Sequence, residues 1–481
     1  MKNFTSLLCF SLLSNPIFAE EILNKPEIQQ FLETIASAEP SDWDTIQKES
    51  PCQKLNQLAP HILADNDQSL IHLLKRAILN HDALSTESAE PFTYYYKNYS
   101  APAFFVPEIE LTLDVKPEKV IVTSHLLIER NSQNPSLVLD GRSHHVQSVA
   151  VNGKTVPKDH YKITLNELIL KDAPSEERFT VTIVSEIDPF NNLSMEGLYK
   201  SGDVLTTQCE SEGARRIFFT LDRPDVLSRI QTTIIADPKK YPYRLSNGNL
   251  VSETVETDGR SKIVWKDPTL KPSYLYACVL GHFGKIEDTF TTRNGRKVQL
   301  EVYVEPGKEA RAKYSMEALK LAMQFDEQFF DREYDLDHMK MVGVPDFNAG
   351  AMENKGLMIF NETTLLVDEH SGTDHSFRSV ATTVAHEYFH NWSGNRVTVR
   401  NWFELALKEA FTDFRAMLFG EWLFGAEFIR PKDVALLKET QFPEEISKSG
   451  HPIMVESYVN ARSIYDHTTY IKGREVYRCL Q

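Results

Sequence analysis

His386, Glu387 and His390, followed after eighteen intervening residues by Glu409, constrain this chain more than any other feature. Two histidines four apart on a helix lie on one face, about 40° apart around the axis, so both imidazoles can reach one metal ion. Neutral imidazole nitrogens and a carboxylate suit Zn²⁺, and three protein ligands leave a fourth coordination position for water. Glu387 stands beside that position, where its carboxylate can take a proton. Asp374 is expected to cap the histidine helix, whose apolar stripe Phe377, Val380, Ala381 and Val384 runs into His386. Ser393-Gly394-Asn395 ends it, and a second helix from Trp402 to about Leu418 carries Glu409.

The chain has 481 residues, too many for one hydrophobic core, so two or three domains are expected. A formal net charge of −16 with no basic tract argues against nucleic-acid binding. Lys2, the apolar run Phe4 to Leu13 and Ala19 before Glu20-Glu21 read as a secretory signal peptide over residues 1–19. The expectation is therefore a periplasmic or secreted protein; the alternative is a cytoplasmic one with an ordinary apolar N-terminus. No later segment is long and apolar enough for a membrane helix. Cys9, Cys52, Cys209, Cys278 and Cys479 form no C-x-x-C pair and fix neither a zinc ribbon nor a disulfide framework.

Residues 20–97 read as a helical extension broken by Pro26, Pro40, Pro51 and Pro60. From 98 to 283 the pattern changes to strands. Ile109, Leu111, Leu113 and Val115 alternate with polar residues, and parts of 119–128 and 179–184 do the same. Asn152-Gly153 signals a hairpin, and Asn247-Gly248 another tight turn. The expectation is a mainly antiparallel β domain. From 284 to 481, a hairpin at Asn294-Gly295, a helix through Met316, Leu319 and Met323, and a strand over Met341–Val344 mix with the metal-site helices. That mixture predicts an α/β or α+β metallopeptidase-like domain.

Several motifs carry a more specific likeness. They are His386-Glu387-Tyr388-Phe389-His390-Asn391-Trp392, Leu407-Lys408-Glu409, Gly350-Ala351-Met352-Glu353-Asn354 and Gln208-Cys209-Glu210-Ser211-Glu212-Gly213. Leu221 to Leu227 and Tyr470-Ile471-Lys472-Gly473 extend it. In order and spacing, residue 98 onward resembles the aminopeptidase N family of zinc exopeptidases, especially its bacterial branch. The resemblance implies a multidomain α+β protein with an N-terminal antiparallel β domain and a thermolysin-like α/β zinc metallopeptidase domain. It implies one Zn²⁺ on His386, His390 and Glu409, with Glu387 as general base and Tyr470 stabilising the oxyanion. Glu353 would bind the substrate's free amine with Glu210 as second carboxylate and Gln208 assisting, while backbone groups of Gly350 and Ala351 contact the substrate beside the scissile bond. The partners expected are peptides with a free N-terminus.

Three departures qualify the likeness. Family members usually carry an acid seven positions after the glutamate ligand; here that position is Ala416, and Asp413, four after Glu409, lies on nearly the same helix face. Ala410 also replaces the commoner glycine. Family chains further continue well past the equivalent of Gln481, so the catalytic domain is expected to be incomplete and to expose apolar surface. The alternative function is then a catalytically silent peptide-binding or interaction protein.

Overall fold

The structure is a computed structural model that describes residues 93–133 and 136–481. The expected signal peptide and nearly all of the expected helical extension lie outside the described residues. Residues 93–97 of that extension are described, and they are not α-helical. Tyr94–Tyr95 is a strand paired antiparallel with Ser457–Tyr458, followed by a 3₁₀ turn at Tyr96–Asn98. The rings of Tyr94 and Tyr458 stack at 5.2 Å, a cross-strand pair that favours extended backbone there.

Thr93–Gln481 forms one compact unit. In the strand Phe104–Val115 the alternating residues Ile109, Leu111, Leu113 and Val115 are all buried. It pairs antiparallel with Val120–Arg130, which pairs in turn with Arg178–Ile187. The nine-stranded sheet built on them is not purely antiparallel, because Leu227–Ala236 runs parallel to Phe104–Val115. Asn152-Gly153 makes the expected hairpin, with both residues at positive φ. Asn247-Gly248 does not join paired strands. Tyr243–Ser246 belongs to one sheet and Asn249–Val255 to another, so the turn switches sheets. The buried Asn247 side chain pins that corner by donating to the carbonyls of Leu275 and Lys355.

Two further sheets place the site. A four-stranded sheet ends its interior strand Val204–Gln208 at the glutamine, so Gln208 and Glu210 emerge from the end of a strand paired on both sides. A five-stranded mixed sheet has Gly284–Thr291 and Lys297–Val304 as the Asn294-Gly295 hairpin, then parallel strands His338–Val344 and Leu357–Asn361. Ala351–Met352 is its edge strand, antiparallel to Leu357–Asn361. One core cluster contains residues from both sides of residue 284, including Val342, Met352 and Trp402. A second cluster, running from Val298 to Phe419, lies wholly beyond residue 284, so the first core crosses the boundary expected near 283/284 and the second does not.

Five longer helices follow in this part of the chain, the first two packed on the last sheet. They are α1 (Lys313–Phe329), α2 (Asp374–Phe389), α3 (Leu405–Phe424), α4 (Ala426–Leu436) and α5 (Gly473–Leu480). The cap of α2 is Thr373, not Asp374. Thr373 is extended, and its hydroxyl accepts from the Ser376 N–H while Ser376 reaches back to the Thr373 N–H. This capping box leaves Asp374 as a first-turn acid facing the helix dipole. On α3, positions 405, 408, 412, 415 and 419 form the buried stripe, yet three of these residues, Lys408, Thr412 and Arg415, are polar. No helix among the described residues is long and apolar enough to cross a membrane. Leu407, Phe442, Ile446, Val476 and Leu480 are exposed apolar side chains of this region.

Candidate active site

Helix α2 ends on its ligand pair, and α3 crosses it with Glu409 inward. His386 Nε2 and His390 Nε2 lie 2.9 Å apart, and Glu409 Oε2 is 3.4 Å from the first and 3.3 Å from the second. A tetrahedral ion with bonds of ~2.0–2.1 Å would hold its ligand atoms ~3.3 Å apart, so the three atoms fit zinc. The tautomers agree. His390 Nδ1 lies 2.7 Å from the Ser393 carbonyl oxygen, which can only accept, so Nδ1 carries the proton and Nε2 presents a lone pair. His386 Nδ1 faces Asp413 Oδ1 at 3.7 Å. Two bare imidazole nitrogens and a carboxylate oxygen at these separations repel one another unless a cation sits between them.

The turn after α2 is shaped around His390. Gly394 has φ +137°, and a Cβ there would fall 2.9 Å from His390 Nδ1, so glycine alone fits. Thr412 and Ser393 hydroxyls meet at 2.6 Å beneath the ring. Arg415 donates to the Phe389 carbonyl at 2.8 Å and pairs with the buried Asp326 on α1. Buried ionic groups thus brace the ligand turn from two helices.

Glu387 is buried, and its Oε2 finds no hydrogen-bond partner among the described residues. Burial pushes its carboxyl well above the usual carboxylate range, with Glu353 and Glu409 adding to the effect against His386. That is how a carboxylate becomes a stronger base.

Glu353 and Glu210 come together with Glu409, their nearest carboxylate oxygens all within 4.8 Å. What joins them is Lys408, a residue to which sequence reasoning gave no role. Its Nζ lies 2.6 Å from Glu210 Oε1 and 2.8 Å from Glu353 Oε1, and it also bonds the Glu409 carboxylate. The oxygens of Glu409 thereby divide, Oε2 to the histidines and Oε1 to the lysine. Burial, then Glu353, pushes the Glu210 carboxyl up to about 8. Burial also opposes ionisation of Glu353, but neighbouring positive charge, that of Lys408 included, outweighs it and holds that carboxyl below its usual value.

Other contacts fix this carboxylate cluster. Tyr465 donates to Glu210 Oε1 at 3.0 Å, and Asn395 donates to the Glu353 carbonyl at 2.8 Å. Lys355 bridges Asp335 and Asn391 at 2.6 Å each, tying the Gly350–Asn354 loop to the residue after His390. Gln208 Nε2 reaches the Glu210 carbonyl at 3.4 Å, leaving its buried Oε1 unpartnered among the described residues and free to accept from an amine. Gly350 and Ala351 lead into the sheet's edge strand, whose outer backbone groups can pair with an extended peptide. Tyr470 sits in the turn before α5, its ring 6.2 Å from that of His386. Gly473 brings that turn close to α3, since a Cβ there would meet the Ala410 Cβ at 2.4 Å.

This geometry has known counterparts. Residues 94–275 match the Peptidase M1 N-terminal domain, and residues 314–481 match the Peptidase family M1 domain. This chain belongs to peptidase family M1. The M1 chain is 44% identical over 390 residues to Aminopeptidase N of Haemophilus influenzae, covering 80% of itself and 44% of that relative. It is 43% identical over 392 residues to Aminopeptidase N of Escherichia coli, covering 81% of itself and 45% of that relative. A crystal structure of Legionella pneumophila aminopeptidase A in complex with aspartic acid superposes with a TM-score of 0.76 at 34% identity, over 81% of this chain and 45% of that one. The M1 chain thus spans less than half the length of these relatives.

Proposed function

We propose that this chain is a zinc aminopeptidase that hydrolyses the first peptide bond of substrates with a free N-terminus. The observation that carries the reading is the meeting of two sites, the triad His386, His390 and Glu409 and the carboxylate pair Glu353 and Glu210, joined through Lys408. Glu210, Glu353, Glu387 and Glu409 bring four carboxyl groups to one pocket, against the one ammonium of Lys408. With all four ionised and a divalent cation bound, one negative charge would remain, which the α-ammonium of a substrate neutralises.

Bound zinc would polarise the scissile carbonyl and make water acidic enough to attack at neutral pH. Glu387 accepts the proton of the attacking water and delivers it to the leaving amine. Tyr470 donates its phenol hydrogen to the oxyanion, a contact that strengthens as charge develops. Glu353 and Glu210 hold the ammonium, with Gln208 Oε1 accepting a further hydrogen. An endopeptidase is disfavoured because these carboxylates occupy the place where a chain would continue.

Metal removal tests the reading. The full chain should hydrolyse alanyl and leucyl chromogenic amides, lose that activity with a chelator and regain it with Zn²⁺. A folded, zinc-loaded chain that binds peptides without cleaving them would instead mark it as catalytically silent.

A further inference from the structure

Ala416 leaves this chain without an acid at the position seven after Glu409, and the structure shows what stands in its place. Ala416 is buried in an apolar cluster with Phe389 and Phe419 and has no polar atom to offer His386. One turn earlier on α3, Asp413 presents Oδ1 to His386 Nδ1 at 3.7 Å, the only acidic group near that nitrogen among the described residues. The separation exceeds a hydrogen bond, so the contact depends on how firmly the aspartate is held. It is held from outside. Arg474 Nη1 donates to Asp413 Oδ2 at 3.1 Å, and Arg474 Nη2 donates to Asp433 Oδ1 at 3.2 Å. Arg474 is itself buried, and α4 and α5 are clamped beside it by the two-pronged pair Arg430–Glu475 at 2.5 and 2.8 Å.

Arg474 lies four residues after Tyr470, on nearly the same face of that continuous helical segment. One short segment therefore supplies both the oxyanion phenol and the cation that pins the aspartate behind a metal ligand. Close packing at Gly473 against Ala410 leaves that segment little room to shift relative to α3.

We infer that Arg474 is a positioning residue that acts through Asp413 to orient His386 for zinc, coupling the Tyr470 segment to the metal ligands. The inference rests on the zinc site of the proposed function but not on its peptide chemistry. Histidine ligands depend on the carboxylate behind them, and losing it typically weakens metal binding ~10–100-fold.

The test uses the full 481-residue chain, with Zn²⁺ affinity measured against a chromophoric chelator and the Co²⁺-substituted protein read by visible absorption. Asp413→Asn should bind Zn²⁺ ~10–100-fold more weakly. Arg474→Met should weaken binding ~10-fold and alter the Co²⁺ bands, and the double variant should bind no more weakly than Asp413→Asn alone. Arg474→Lys should recover part of the loss. Asp433→Asn, outside the site, should produce a smaller loss of the same kind and serves if Arg474→Met does not fold. Unchanged Zn²⁺ affinity and Co²⁺ spectrum in folded Arg474→Met or in Asp433→Asn would overturn the inference, as would additive losses in the double variant. A parent chain that binds no Zn²⁺ would overturn both this and the aminopeptidase reading. One that binds Zn²⁺ and shows this pattern without cleaving amides would count against the latter alone.

Discussion

Glu387→Gln is expected to lower kcat on a leucyl amide by ~10²–10⁴-fold, the usual contribution of a general base, with KM and Zn²⁺ affinity little changed. Glutamine keeps the volume of a buried side chain but cannot take a proton. It also removes a carboxyl whose burial already disfavours ionisation. The sign of the stability change follows. An acid whose folded pKa is raised costs stability as pH climbs above its unfolded value, so the glutamine variant should be at least as stable as the parent at neutral pH. Steady-state kinetics with a parallel thermal melt check both halves. Activity within tenfold of the parent would place the base elsewhere.

Lys408→Met should cost ~3–5 kcal/mol of stability and most of kcat/KM together, because it strands Glu210, Glu353 and Glu409 in a buried pocket. The loss should depend on pH in a defined direction. Without the cation the folded carboxyl pKa values rise further, Glu210 starting from about 8 against an ordinary 4.5. Stability of the variant relative to the parent should therefore be best in acid and fall as pH rises through 4.5 toward 8 and beyond. Denaturant melts across that range, with excess Zn²⁺ present, measure it. A variant equally stable at all these pH values would show that the lysine does not offset the three charges.

The close approach of His386, His390 and Glu409 was legible because His-x-x-x-His spacing on a helix specifies geometry by itself, and the positions of several strands followed from alternation. Lys408 was not legible as a site residue, although its motif was. It stands next to a ligand, and a lysine between an apolar residue and a glutamate reads as solvated. The available signal was the stripe Leu405, Lys408, Thr412, Arg415 and Phe419, where polar residues occupy the buried face of α3. Tyr465 and Asn395 escaped for a different reason. Their partners, Glu210 and the Glu353 carbonyl, are 255 and 42 residues away in sequence, and only the folded chain brings them together. The cap of α2 shifted by one residue because Thr373 and Ser376 can satisfy two N–H groups reciprocally, where Asp374 would satisfy one. The parallel strand pairing escaped as well, since alternation marks a strand's faces but not its neighbour's direction.

In the proposed reaction the triad His386, His390 and Glu409 accounts for hydrolysis, and the carboxylate pair Glu353 and Glu210 for which bond is cut. Charge-assisted contacts to an ammonium are worth ~1.5–3 kcal/mol each, so two carboxylates amount to at least ~10²-fold in discrimination. The decisive measurement is the product mass spectrum of one peptide with a free N-terminus and of its N-acetylated twin, both exposed to the zinc-loaded chain. Release of the first residue from the free peptide, with the acetylated twin cleaved at least ~10²-fold more slowly, is the predicted result. Equal cleavage of the twin, or internal cuts in either peptide, would contradict the account.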